Sequence, residues 1–249
     1  VILRRLARNL QEQNWTAIGI EFVLLVLGVF LGIQVANWND ERQQAALQTQ
    51  HLERMRIDLI GIRERTEQHI AFYRDSIDGG ELLLAIVGAG EAAPRDAPID
   101  RARVAEALDS LVQTRNQPPL PATYVEMRSN GQLSRITNPR LRDRLTDYDR
   151  FHGVLLELMR IVNDNMVRQV PVLLRHFTSR TVADDTQLSG IREELIAFDA
   201  AAMRGDREFA VAVRTLRRFA FNSLVQRQRQ IEMVDELVTL IDAELEASP

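Results

Sequence analysis

A chain of 249 residues with 45% hydrophobic content has the length for one large or two small domains with a substantial core. A formal charge of −4, with no basic stripe interleaved with aromatics, argues against nucleic acid as a partner. The lack of cysteine excludes disulfide scaffolds, thiolate catalysis and cysteine-ligated metal, and the histidines at 51, 69, 152 and 176 form no HxxxH or HExxH pair. No metal and no cofactor is therefore expected.

In chain order, residues 1–14 read as a short cytoplasmic tail and residues 15–38 as a transmembrane helix. Between Ala17 and Val35 the only strongly polar residues are Glu21 and Gln34. Those residues rise about 28 Å as a helix, close to the hydrocarbon thickness of a bilayer. Trp15 and Trp38 bracket the run as interfacial anchors. Arg4, Arg5 and Arg8 precede it while Asp40 and Glu41 follow it, and basic flanks stay cytoplasmic. The bulk of the chain is thus expected on the periplasmic side of a bacterial inner membrane. The 31 basic residues are all arginine, which reads as the codon bias of a GC-rich bacterium. No A-x-A-like site follows the apolar run, which favours an uncleaved anchor over a signal peptide.

At 100° per residue, Ala17, Glu21, Leu25, Gly28, Gly32, Val35 and Asn39 share a stripe roughly 80° wide. Glycines four apart let two helix backbones approach closely, and such packing is what joins spans inside lipid. The stripe of Glu21, Leu25, Gly28, Gly32, Val35 and Asn39 is therefore the expected oligomer interface. Three readings of Glu21 stay open: a carboxylate that snorkels to the cytoplasmic edge, a protonated or hydrogen-bonded group at a subunit seam, or a ring of carboxyls along an ion path.

Residues 39–249 read as a periplasmic helical domain, which makes the fold class all-α. Leu52, Met55, Leu59, Ile62, Thr66, Ile70, Tyr73 and Ile77 recur at a 3-4 alternation, with no helix breaker before Gly79-Gly80. The alternation fits a bundle seam within one subunit or a coiled coil between subunits. Residues 88–98 form a loop, Asp100 caps a helix to about residue 115, and NQPPLP at 116–121 interrupts. A short helix to Met127 or Arg128, an Asn130-Gly131 turn and another short element lead to Asn138-Pro139. That pair serves as N-cap and first residue of a long helix to about 177, with Pro171 as a kink or a new start. Residues 178–190 read as a loop, 191–203 as a helix and Gly205-Asp206 as a break. A last helix to about 245 has an apolar stripe from Phe209 to Ile241 that suits antiparallel packing on the first long helix. Strand signals are nearly absent.

Outside the span, Arg128, Ser129, Asn130 and Gly131 offer a guanidinium and turn amides to an anion, against the plainer reading of a turn buttressed by an arginine. Asp149 and His152, one helical turn apart, read as a surface hydrogen bond, and Asp184-Asp185 as solvated acids.

Residues 18–42, IGIEFVLLVLGVFLGIQVANWNDER, resemble the start of an abundant group of uncharacterised bacterial single-pass membrane proteins. That group carries an IGE-type acid, a glycine seven residues later and a Q-I-N-N-W-N-E-E-R-like end. Glu21, Gly28, Gln34, Asn37, Trp38, Asn39, Asp40, Glu41 and Arg42 occupy those places. The stretch from Tyr124 to Gly131 with Leu133, then Asn138, Leu141, Arg142, Leu145 and Tyr148, is similar to the group's Y-x-x-L-x-x-S-G-x-L and L-R-x-x-L midsection. The resemblance implies a span plus external helices and supplies no chemistry.

No Gly-rich phosphate loop, G-x-S-x-G elbow or internal repeat occurs, so no enzyme is expected. The leading expectation is a homo-oligomeric single-pass scaffold, in the lipid bilayer and in contact with other membrane or periplasmic proteins. The alternatives are a sensory ectodomain working through a membrane partner, and an ion-conducting oligomer using Glu21.

Overall fold

The computed structural model describes residues 15–90, 100–183 and 191–247, with side chains for all of these except 15–19, 21, 41 and 191–193. The elements in order are α1 (Trp15–Ile86), α2 (Arg101–Leu111), α3 (Ala122–Ser129), a 3-10 turn (Gln132–Arg135), α4 (Pro139–Leu174), β1 (Phe177–Ala183), β2 (Ile191–Phe198), α5 (Ala200–Gly205) and α6 (Arg207–Ala247). They fall into two compact units, Val1–His51 and Leu52–Pro249.

In the first unit, α1 is long and apolar enough to cross a membrane, and its apolar window has a mean hydropathy of 1.8 with no part of it buried. The expected tail 1–14 and the side chains of Trp15 and Glu21 lie outside the described residues. Trp38 is exposed, and the Arg42 guanidinium lies 4.8 Å from its ring centre. The pair presents an aromatic face together with a charge, as interfacial anchors do.

In the second unit, the 3-4 alternation of α1 is a seam within one chain. Leu52, Met55, Leu59, Ile62, Thr66, Ile70 and Tyr73 are buried, with Ile77 half-buried. The partner is α6, running antiparallel. Arg56 pairs with Asp242 at 2.5 Å, Arg63 with Asp235 at 2.8 Å, and Glu81 with Arg217. One residue number rises as the other falls by the same step, so a single register holds along the whole contact. α4 lies against α6 as well, with Arg140 and Arg144 both reaching Glu236 at 3.0 Å.

The expected break at Gly79-Gly80 does not occur, because the helix continues to Ile86. The two glycines serve close approach instead. A Cβ on Gly79 would stand 2.8 Å from the Ala107 Cα of α2, and one on Gly80 would stand 3.0 Å from the Arg217 side chain of α6.

Helix starts follow local chemistry. The Asp100 side chain accepts from the Ala102 amide, and Asn138 accepts from those of Arg140 and Leu141 with Pro139 behind it. α3 begins at Pro121 without a cap of its own, and Asp58 of α1 supplies one by accepting from the Thr123 amide and hydroxyl, each at 2.9 Å. α2 stops at Leu111, short of the expected residue 115, and α4 stops at Leu174, with Pro171 inside it instead of starting a new segment. The Val167 carbonyl has no amide donor at Pro171, and Val167 is exposed.

The described residues are mostly helical, as the all-α class expects, and a short hairpin is the local exception. Where a loop at 178–190 and a helix at 191–203 were expected, β1 and β2 pair antiparallel from Phe177↔Phe198 to Ala183↔Ile191, with a register shift between Thr178 and Ser179. Helix begins only at Ala200, capped by Asp199. Glu-Glu-Leu favours helix locally, but Phe177, Leu195 and Phe198 pack against a core formed by α1, α2 and α6, and Arg180 bridges to Glu194 across the strands at 2.7 Å. Packing of these side chains outweighs a propensity difference of a few tenths of a kcal/mol per residue.

Gly79→Ala is expected to destabilise the helical domain by about 1–3 kcal/mol, since backbone at Ala107 has to give. At Gly61 the nearest atom to an added Cβ is the Arg65 side chain at 3.7 Å, so Gly61→Ala is expected to stabilise by about 0.5–1 kcal/mol. Thermal unfolding followed by circular dichroism tests both, and a stabilising Gly79→Ala would contradict the crossing.

Candidate functional site

The apolar core of the helical domain comes in two clusters. One gathers Leu52–Ile62 side chains of α1 with Leu141, Leu145, Val234, Leu237 and Ile241. The other gathers Leu83, Leu84, Val104, Leu111, Phe209, Val213 and Leu216. Between them, the buried side chains include Thr66, Tyr73, His152, Arg227 and Gln230. The middle of the bundle holds a polar layer, accompanied by the buried Ile70, Phe151 and Leu155.

Arg227 is its centre, only 2% exposed. Its Nη1 donates to the Oε1 of Gln117 and, at 3.0 Å, to the Oε1 of Gln230; Gln230 Nε2 in turn donates to the Tyr148 hydroxyl at 3.0 Å. Its Nη2 faces the Met159 sulfur at 4.0 Å, a weak acceptor. Among the described residues no carboxylate pairs with this guanidinium. Burial lowers its pKa, and the phenol oxygens of Tyr73 and Tyr148 work the other way. Burial likewise raises the pKa of the Tyr148 hydroxyl.

The loop 116–121 that the sequence marks only as an interruption is drawn into this layer. Gln117 accepts from Arg227, and the Pro118 carbonyl lies 3.0 Å from His152 Nε2. His152 therefore turns inward and does not pair with Asp149, which accepts from Tyr124 at 3.0 Å and from Arg128.

Beside the layer, a cavity of about 180 Å³ opens between α4 and α6. Leu155, Leu158, Ile161 and Phe219 give it apolar walls, while Met159, Ser223 and Arg227 also line it. Leu158 and Ile161 are exposed at its lip, beside the exposed Asn222.

The four turn residues form no open anion cradle. Arg128 is held by Asp149 and lies over the Tyr124 ring, Ser129 donates to the Glu126 carbonyl, and the Asn130 and Gly131 amides donate to the Glu126 and Arg128 carbonyls. Gly131 takes φ 68°, which glycine adopts without strain. The plainer reading of a buttressed turn is the one the geometry supports.

In the candidate span, Leu25, Val35 and Asn39 are exposed, and nothing lies within 4 Å of a Cβ added at Gly28 or Gly32. Phe22, Val26 and Phe30 on other faces are exposed too. Exposure therefore selects no face, and the small residues alone mark the stripe.

Sequence reasoning missed Arg227, Gln230 and the cavity. Asp184-Asp185 lies outside the described residues. Compared with protein-family models, curated proteins and solved structures, the chain matches none.

His69 lies near this layer, and its Nδ1 is buried without a partner among the described residues. Burial first, then the charges of Arg227, Arg115 and Arg65, depress its pKa from 6.5 to about 4. Between those values the unfolded chain takes up a proton that the fold refuses. The contribution of the neutral ring, full above pH 6.5, is thus lost as pH falls toward 4. His69→Gln is expected to flatten the fall of melting temperature across that window, and an unchanged slope would contradict the burial of a neutral imidazole.

Proposed function

We propose that the protein is a single-span protein of the bacterial inner membrane that self-associates through its span and holds its helical domain in the periplasm as an interaction scaffold. The observation that carries the reading is the row of Gly28 and Gly32, with open space beside both, on the stripe shared with Glu21. Inside lipid an exposed aliphatic face gains nothing by leaving the acyl chains, whereas a small-residue face gains van der Waals contact when a second helix lies in it. The arginine-rich segment before the span and the acids after it support the orientation. The resemblance of residues 18–42 to single-pass proteins supports the same topology.

A second reading, a ligand-responsive ectodomain that signals through a membrane partner, is favoured by the cavity beside Arg227. A desolvated charge at the wall of a largely apolar cavity is a feature that ligand binding would use.

The chain has no cysteine, so single cysteines are clean probes. Gly28→Cys and Gly32→Cys are expected to crosslink into dimers in native membranes, and Val26→Cys and Phe30→Cys at least tenfold less. Monomer alone at every position would reject self-association through this face.

A further inference from the structure

We infer that the cavity between α4 and α6 binds an anionic amphiphile, with Arg227 holding its charged head and the aliphatic walls at Leu155, Leu158, Ile161 and Phe219 taking its tail. The inference rests on the ligand-responsive reading above and is independent of self-association through the span.

The charge comes first. A buried ion is costly unless it is paired and hydrogen-bonded, and paired arginines are normally met by carboxylates or phosphates. Arg227 has neither among the described residues. Its two Nη1 contacts are neutral amide oxygens, and each leaves the full positive charge uncompensated. The Tyr73 hydroxyl, also neutral, hydrogen-bonds the guanidinium as well, and Nη2 faces the Met159 sulfur, a weak acceptor that is itself a cavity residue. The charge, met only by neutral groups, therefore lines the cavity wall, where an incoming oxygen anion would complete the pair.

The walls specify the rest of the ligand. A small inorganic anion would leave the aliphatic surface wet, and a neutral hydrocarbon would leave the guanidinium unpaired. A cavity of about 150 Å³ lined by aliphatic side chains takes a benzene-sized group, so about 180 Å³ suits a short aliphatic segment. A longer tail continues over the exposed Leu158 and Ile161 at the lip. One molecule that satisfies both requirements carries a single carboxylate or phosphate on a medium-length aliphatic chain. A free fatty acid and a lysophospholipid share that chemistry.

The test uses the full chain in phosphatidylcholine nanodiscs and decanoic acid bearing a diazirine on its tail. After photolysis, labelled peptides are located by mass spectrometry; decanol with the same diazirine is the neutral control. The expected result is label on residues 155–162 and 219–227, at least tenfold above that from the alcohol. The label should fall at least tenfold in Arg227→Met and also in Ser223→Phe, which fills the cavity without altering the polar layer. Competition by unlabelled decanoate or by lysophosphatidate distinguishes a carboxylate from a phosphate head, and either supports the assignment. Equal labelling by acid and alcohol, or label that persists in both variants, would overturn the anionic assignment while leaving a ligand cavity in place. Label confined to the span would remove both the assignment and the ligand-responsive reading.

Discussion

A single guanidinium held among neutral oxygens in the middle of a helical core is the constraint around which the second unit is arranged. Arg227 divides the apolar interior into two clusters, and the elements nearest to it are recruited for their polar atoms. Gln230 comes from the next turn of its own helix, Gln117 from the loop between α2 and α3, and Tyr148 from α4 through Gln230. A proline-bearing loop normally runs over the surface, because a buried one carries backbone groups that need partners. Here the Pro118 carbonyl finds His152. The layer also requires an accurate helix register, since a shift of one residue would carry Arg227 away from Gln117 and Gln230 away from the Tyr148 hydroxyl. The matched pairs of Arg56 with Asp242 and Arg63 with Asp235 supply that register from the surface, where each is worth little in stability but discriminates between alignments.

The ends of the helical domain are held by chemistry that is separable from this layer. Asp206 starts α6 by accepting from the amides of Glu208 and Phe209, and it also receives Arg175 at 2.9 Å and His176 at 2.6 Å from the end of α4. The His176 contact first, then the amides and Arg175, keep this carboxyl below its usual range. One side chain thus caps a helix and fastens its neighbour. In the first unit the described side chains of the apolar window are exposed, and such a surface is satisfied by acyl chains and not by water.

Much of this architecture was legible in the sequence. The α1 seam was readable because apolar spacing survives wherever one helix buries one face, and Asn138-Pro139 was readable because a cap is a local event. The hairpin was not, because Ile191 to Phe198 commits to strand only when Phe177, Leu195 and Phe198 find their distant core. Gly79-Gly80 read as a break because glycine's local cost is visible and the approach of α2 and α6 is not. Arg227 and Gln230 were passed over for a similar reason: on a helix rich in arginine and glutamine, a polar residue reads as solvent-facing. A usable signal was present, since both residues fall at helical spacing between Ala220 and Val234 on the apolar stripe, where a polar pair has to be buried or break the stripe.

The proposed ligand site implies that the polar layer is kept at a cost in stability, for binding and not for folding. Converting the guanidinium and its amide and phenol chain to aliphatic and aromatic carbon in one variant, Arg227→Met with Gln230→Leu, Gln117→Met and Tyr148→Phe, removes these four together, while Thr66, Tyr73 and His152 keep the backbone groups of Ile62, Arg115 and Pro118 as partners. Replacement of a buried ionic network by packed apolar groups is often neutral or stabilising by about 1–4 kcal/mol. Thermal unfolding of this variant is therefore expected at or above the melting temperature of the unaltered chain. A variant that melts well below it would show that the guanidinium and its amides hold the bundle together, and would contradict the account.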